Sequence, residues 1–360
     1  MRTAVLSAMF LGFSVLAAQE QSYFFYRPLP YGSQAMFNPL SLIANGGLDE
    51  LQAYGHSNTL SDLPWNGGGT NVWRNITAPL PQIQAYGWKK FAGQELFPTS
   101  LRMDQSQYFP NYTLHLIGGG MAYRKISEWY DYHGYPLPAV LGALTTMSYH
   151  YVNEIIENGP GCFYSNVDPI ADLLVFDPLG IALFSFDGVS RFFSDKLQLN
   201  EWSSQPAISL FPFGVRNTGQ NFVVKYPLTD TRSVSLFYHF GAFGILGVSL
   251  KTNDEDAISF GAGISSKKVY NADPGGAFTP AIITGPIAGI YYDRNNSLLA
   301  SFTVADSFTD IVRMNIYPGF IQSAYFSPGI ILSAGERGRW TFGITANFRP
   351  LGLCGYHPPM

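Results

Sequence analysis

The C-terminal half of the chain is dominated by apolar and polar positions that alternate with a period of two. The clearest stretch is residues 339–348, in which small or polar residues separate apolar side chains at Trp340, Phe342, Ile344, Ala346 and Phe348. This period is typical of a β-strand whose two faces meet different surroundings. About ten residues of this pattern are enough for a strand to cross a bilayer with one face toward lipid and the other toward a lumen. The stretch is the last strand-like segment of the chain.

The same period recurs along the chain from residue 205. Turn-forming residues separate the segments, as in Asn253-Asp254-Glu255 and Arg294-Asn295-Asn296. We therefore predict a mainly β fold with α, in which residues 205–348 form an antiparallel transmembrane β-barrel of 8–12 strands, with ten as the best number. The ten predicted strands are residues 207–215, 220–228, 232–241, 243–251, 256–265, 284–293, 297–305, 310–318, 328–335 and 338–348.

A soluble β-sandwich with helices is the alternative fold, because its strands alternate too. The exposed faces of a sandwich are rich in Lys and Glu. Here the second face of the predicted strands carries mostly Gly, Ser and Thr. This composition favours a narrow barrel lumen over a sandwich.

The pattern changes to a helical period in residues 111–204, which we predict to be a helical module. Three helices are expected: residues 112–133, residues 136–158, and a third that begins at Asp168-Pro169 and is interrupted or ends near Asp177-Pro178. Residues 19–110 are predicted to be irregular, apart from a short amphipathic helix at 82–92. Residues 349–360 are predicted to be a C-terminal tail.

Composition and the N-terminal residues predict where the protein is located. Residues 1–18, with Arg2 before an apolar run and small residues at Ala17-Ala18, are predicted to be a signal peptide. Charged residues make up only 13% of the chain and aromatic residues 16%, whereas soluble domains carry about 25% charged residues. The expected location is the bacterial outer membrane, with the lipid bilayer and the outer-membrane assembly machinery as partners. The net charge of −4 argues against nucleic acid.

Cys162 and Cys354 are the only cysteines. In an oxidising compartment they are candidates for a disulfide that would join the middle of the chain to its C-terminal tail. Free thiols are the alternative.

The candidate chemistry lies in the helical module. On the second helix, His150 and Glu154 share a face because they are four positions apart, and the flanking helices supply His115 and Asp172. His115, His150, Glu154 and Asp172 could form an imidazole–carboxylate site for a divalent metal. His150, Glu154 and Asp172 could instead be catalytic, with His150 as base. A buried polar network is the third reading. The cofactor is therefore open: none is required, and a divalent metal is possible.

Residues 111–184 carry a family resemblance. The segments are Asn111 to His115 with Gly119, Tyr123 and Arg124, then His150-x-x-Asn-Glu-Ile-Ile-Glu, then Asp168 to Leu174 with Pro178-Leu179-Gly180. They resemble an uncharacterised bacterial family of outer-membrane β-barrels with an N-terminal helical module. The match is partial, since that family has a proline after the first histidine and this chain has Leu116. The resemblance implies architecture and location and brings no activity.

Two functions remain open from the sequence. The first is an outer-membrane barrel of structural or small-solute transport type, with helices that plug or organise it. The second is a membrane-embedded hydrolase of envelope lipid, with His150 as base and Glu154 or Asp172 orienting it. No motif identifies a substrate.

Overall fold

The computed structural model describes residues 23–49, 59–100, 108–157, 166–271, 280–307, 310–322, 326–347 and 349–357, with the backbone alone for 266–271 and 280–283. The predicted signal peptide at 1–18 and Cys162 of the predicted disulfide lie outside these residues. Helices account for 42% of the structure and strands for 31%. The helical part is therefore larger than the sequence indicated.

The helices occupy the first half of the chain. Several are continued by π-helical turns, namely Ala92–Leu96, Asn111–Gly119, Asp172–Phe176 and Phe192–Lys196. The α-helices are α1 (Gly32–Ala35), α2 (Pro39–Gly47), α3 (Trp65–Thr77), α4 (Pro79–Tyr86), α5 (Trp88–Phe91), α6 (Tyr108–Pro110), α7 (Gly120–Tyr132), α8 (Pro138–Glu157), α9 (Asp168–Ala171), α10 (Asp177–Phe184) and α11 (Asp187–Arg191).

A single mixed sheet of 13 strands follows, in the order β1-β4-β5-β6-β7-β8-β9-β10-β11-β12-β13-β2-β3. Neighbours from β4 to β13 pair antiparallel, whereas β13 pairs parallel with β2. The strands are β1 (Asn200–Glu201), β2 (Ala207–Leu210), β3 (Phe213–Arg216), β4 (Phe222–Pro227), β5 (Val234–Phe240), β6 (Phe243–Lys251), β7 (Asp256–Asn271), β8 (Pro280–Arg294), β9 (Ser297–Ala305), β10 (Val312–Ile316), β11 (Pro328–Ala334), β12 (Trp340–Ala346) and β13 (Gly352–His357).

The sheet differs from the predicted ten-stranded antiparallel barrel in three ways. The first predicted strand is two strands, β2 and β3, because the chain turns between Leu210 and Phe213. The predicted tail contributes β13, so β12 is not the closing strand. No ladder joins the edge strands β1 and β3 among the described residues. The sheet of the described residues is therefore mixed rather than antiparallel, and it has 13 strands rather than ten.

Two short links force this sheet to curl. In a flat sheet, β1 and β2 would lie eleven strand spacings apart, as would β4 and β3, which is about 50 Å. The links from Glu201 to Ala207 and from Arg216 to Phe222 span six residue steps each, at most about 22 Å. The two edges of the sheet must therefore approach each other.

Exposure alternates along the strands as the sequence predicted. On β12, Phe342 and Ile344 are 46% and 47% exposed, while Thr341 and Thr345 are buried. The outward side chains are large and apolar on eight further strands, with exposed residues at Leu236, Leu246, Leu250, Ile258, Phe260, Ile264, Ile290, Phe302, Val304, Val312, Leu332 and Leu353. These residues, with Trp340, Phe342 and Ile344, form the outer apolar belt. A sandwich, in which such faces meet, does not describe this arrangement.

The concave side of the sheet is filled. Trp202, in the first link, packs against the rings of Phe237 and Tyr291, with ring centroids 6.0 Å apart in each pair. The same link is tied to the strands by the Tyr317 hydroxyl, which donates to the Ser203 carbonyl, and by the Gln205 amide, which donates to the Ile316 carbonyl at 2.8 Å. The links therefore run through the interior and occupy it.

The helices form one layer against part of the sheet. Phe184 of α10 shares a buried cluster with Phe222 of β4 and Phe240 of β5. The prediction that residues 19–110 are irregular is wrong, because α1 to α5 lie there and α2 and α3 pack on α8. The predicted helix at 82–92 is broken into α4 and α5 at Gly87, whose φ is 104°. The helix from Asp168 continues past Asp177-Pro178 to Phe184, and the π-helical turn Asp172–Phe176 comes directly before Asp177.

No single helix in the described part of the chain is both long and apolar enough to cross a membrane. One bent pair, Asp168–Phe184 with Asp187–Lys196 at 83°, meets the criteria of length and composition together.

Candidate functional site

Three helical segments bring the predicted site residues together. His115 lies in the π-helical turn Asn111–Gly119 and Asp172 begins the π-helical turn Asp172–Phe176, while α8 carries the others. The residues that meet are His115, His150, Glu154, Asp172 and, at the first position of α10, Asp177. All five are at most 6% exposed. π-Helical turns are rare and are found frequently at functional sites.

Asp177 joins the two imidazoles. Its Oδ1 lies 2.9 Å from Nδ1 of His115 and 2.7 Å from Nδ1 of His150. Burial opposes ionisation of Asp177, but the neighbouring His150 and His115 outweigh it and lower its pKa to about 2. Burial lowers the pKa of His150. An ionised carboxylate can only accept hydrogen bonds, so Nδ1–H of His115 donates to Asp177, and Nε2 is the ring nitrogen that remains for other contacts.

Nε2 of His115 faces two carboxylates. Nε2 lies 3.4 Å from Oδ2 of Asp172, and one ligand atom each of His115, Glu154 and Asp172 lie within 4.8 Å of one another. Burial raises the pKa of Glu154 well above its usual value, and the charge of Glu157 adds to this. Burial also raises the pKa of Asp172, together with the charges of Asp168 and Glu154. Two carboxylates this close cannot both stay ionised without a cation.

Further buried acids surround this centre. Glu95 and Asp168 are 3% and 9% exposed. Burial raises the pKa of both, and for Glu95 the charge of Asp168 contributes. The Tyr86 hydroxyl donates to Oε1 of Glu95 at 3.1 Å. The region therefore holds more acidic groups than its two imidazoles can balance, and a cation would relieve the excess.

Glycines allow the helices to approach this closely. A Cβ at Gly119 would lie 2.7 Å from Cε1 of His150, and a Cβ at Gly180 would lie 2.7 Å from the Leu116 carbonyl oxygen. Any side chain at these positions would push the site residues apart.

The structure groups the predicted residues differently from the sequence. His115, Glu154 and Asp172 form one group, and His150 reaches it through Asp177. The carboxylate that contacts His150 is thus Asp177, not Glu154 or Asp172 as the catalytic hypothesis assumed. Asp177 was missed because Asp177-Pro178 was interpreted as the end of a helix. The signal available was an acidic residue five positions after Asp172 in an apolar segment.

The half of the predicted disulfide that is described, Cys354, lies partly buried on β13 opposite Gly343 of β12. Comparisons with family models, with curated proteins and with solved structures find no match to this chain. The resemblance to the bacterial family with a helical module stays a prediction.

Proposed function

We propose that the protein is a structural protein of the bacterial outer membrane, held in the bilayer by its curled sheet and organised by its helical module. The outer apolar belt carries this proposal. Belt residues occur on nine strands, β5 to β13, and each of the fifteen is at least 36% exposed. A contiguous apolar surface of this extent is typical of contact with lipid or with a partner protein.

Strand length and inner polarity support contact with lipid. Four of the nine belt strands reach the 9–11 residues of a tilted spanning strand: β6 and β9 have nine residues, β7 has 16 and β8 has 15. The other five, β5 and β10 to β13, have five to seven residues. The inner face carries buried polar side chains such as Ser249, Ser259 and Asn315. Lipid-facing apolar residues that alternate with polar lumen residues are the pattern of outer-membrane strands.

A structural role fits the interior better than transport through a wide pore. Trp202, Phe237, Tyr291 and Tyr317 fill the concave side. A cavity of about 350 Å³ at one side of this interior is lined by Lys225, Asp293 and other polar residues. Burial of His150 also counts against the lipid hydrolase, because a general base must reach its substrate.

The proposal is tested with Phe342→Lys on the belt and Leu228→Lys in the turn after β4, where the side chain is 57% exposed. In a bilayer, a lysine on the lipid face costs about 2–4 kcal/mol at the midplane and almost nothing near the interface. Phe342→Lys should therefore reduce folded protein in the outer-membrane fraction, and Leu228→Lys should not. The wild-type protein should resist extraction by high salt and alkaline carbonate.

Two results would contradict the membrane assignment. One is release of the wild-type protein by salt without detergent. The other is equal folding and equal yield of the two lysine variants, which would mean that Phe342 faces water or a dispensable partner.

A further inference from the structure

We propose that His115, through Nε2, together with Glu154 and Asp172, binds a divalent first-row transition-metal ion. Asp177 and His150 form the supporting layer around this site. The inference is independent of the membrane proposal, because it rests only on the helical module.

Ligand spacing supports coordination over direct hydrogen bonding. A tetrahedral ion with bonds of about 2.0–2.2 Å keeps its ligand atoms about 3.3–3.6 Å apart. Nε2 of His115 lies 3.4 Å from Oδ2 of Asp172. A good hydrogen bond between these atom types would be about 2.7–3.2 Å long. The two groups are therefore spaced for an ion between them.

Orientation of the imidazole supports the same assignment. Metal-bound histidines almost always donate their other ring N–H to a carboxylate or carbonyl, which fixes the tautomer and raises the basicity of the ligand nitrogen. Nδ1 of His115 makes this contact with Asp177 at 2.9 Å. Asp177 also lies 2.7 Å from His150. The hydrogen bond between His115 and Asp177 and the wider gap between His115 and Asp172 favour His115–Glu154–Asp172 over His115–His150–Asp177 as the ligand set.

An unsatisfied carboxylate oxygen points to a missing partner. Oδ1 of Asp172 is buried, and no hydrogen-bond partner with good geometry for it occurs among the described residues, although the carboxyl groups of Asp172 and Glu154 interact with each other. Asp172 is 2% exposed. Buried polar atoms normally have a partner, and an unpaired one at a cluster of ligand-type side chains is expected where an ion binds.

The donor set selects the class of ion. One imidazole nitrogen and two carboxylates suit Zn²⁺, Mn²⁺ or Fe²⁺, whereas Ca²⁺ and Mg²⁺ prefer sites made of oxygen alone. Two carboxylates and a neutral imidazole also neutralise a divalent ion. Zn²⁺ is the appropriate probe, and Co²⁺ serves as its coloured substitute.

The test uses the full chain, purified in detergent, stripped with a chelator and titrated with Zn²⁺ or Co²⁺. We expect about one tightly bound ion per chain by elemental analysis, with visible Co²⁺ absorption typical of a four-coordinate N/O site. His115→Ala and Glu154→Gln should each weaken binding by more than about 100-fold. His150→Gln should weaken it by about 10- to 100-fold, as for other groups that support a ligand. His133→Ala, an exposed histidine beside Trp129, should bind as the wild type does.

A thermal unfolding series separates lost ligation from lost folding. In chelator, Glu154→Gln should unfold at the same temperature as the wild type or higher, because it removes one of two crowded acids. Zn²⁺ should raise the unfolding temperature of the wild type and leave that of Glu154→Gln unchanged. Absence of Zn²⁺ binding by the folded wild type would overturn the proposal, as would equal affinity of Glu154→Gln and wild type.

Discussion

Two buried polar centres of this protein differ in how their charges are balanced. On the inner face of the sheet, Nζ of Lys225 lies 2.5 Å from Oδ2 of Asp293 and 4.6 Å from the ring of Trp202. One cation there meets one anion. In the helical module, Glu154, Asp172 and Asp177 converge with only His115 and His150 between them.

The Lys225–Asp293 pair balances its own charge, whereas the acidic centre of the helical module does not. A buried pair of opposite charges offsets part of its desolvation cost through mutual attraction. Clustered acids repel one another and must take up protons or a cation. We infer that the Lys225–Asp293 pair stabilises the interior of the sheet, whereas the centre in the helical module binds a metal ion.

The largest expected effect on stability comes from breaking the Lys225–Asp293 pair. Lys225→Met leaves Asp293 buried without its cation and should destabilise the protein by about 3–5 kcal/mol in denaturant unfolding. Lys251→Met, at the exposed end of β6, should change stability by less than about 0.5 kcal/mol. If Lys225→Met lost as little stability as Lys251→Met, the Lys225–Asp293 pair would not stabilise the interior of the sheet.

A smaller effect is expected from the helix contacts that hold the acidic centre together. Gly180→Ala places a methyl group 2.7 Å from the Leu116 carbonyl oxygen, and overpacking of this kind costs about 1–3 kcal/mol. The matched control is Gly188→Ala in α11, where a Cβ meets nothing within 4 Å. That change should stabilise the protein by up to about 1 kcal/mol, because alanine favours helix.

The same two alanine variants also test the role of His115 in Zn²⁺ binding. Gly180→Ala should weaken Zn²⁺ binding, since it displaces the backbone of His115, whose carbonyl oxygen lies 3.0 Å from the added methyl group. Gly188→Ala should leave binding unchanged. Equal Zn²⁺ affinity in the two variants would mean that the position of His115 does not depend on this helix contact.

The sheet was largely predictable from sequence, because apolar and polar side chains alternate with a period of two when the two faces of a strand have different surroundings. The alternation on β12 and the two-residue turn Asn295-Asn296, where both residues have positive φ, were visible in advance. β13 was missed because Gly352–His357 is short and does not alternate clearly. The position of β13 in the sheet depends on its parallel pairing with β2, which is distant in sequence.

The helical region was less predictable. The helices between Gly32 and Leu96 are short and rich in Asn, Gly and Pro, so tertiary packing rather than helix propensity maintains them. His115, His150, Glu154 and Asp172 were found from ligand-type side chains at helical spacing. Asp177 was not, because its contact with both imidazoles depends on a helix that continues through Pro178.

The most direct test of the account is a spin-label scan of Thr341–Thr345 on β12 in proteoliposomes, with Cys162 and Cys354 replaced by serine. Labels at Phe342 and Ile344 should collide readily with oxygen, which dissolves in acyl chains, and poorly with a water-soluble nickel chelate. Labels at Thr341, Gly343 and Thr345 should show low oxygen accessibility. Ready access of the nickel chelate to Phe342 and Ile344, or the same oxygen accessibility at all five positions, would contradict the claim that the outer apolar belt contacts lipid.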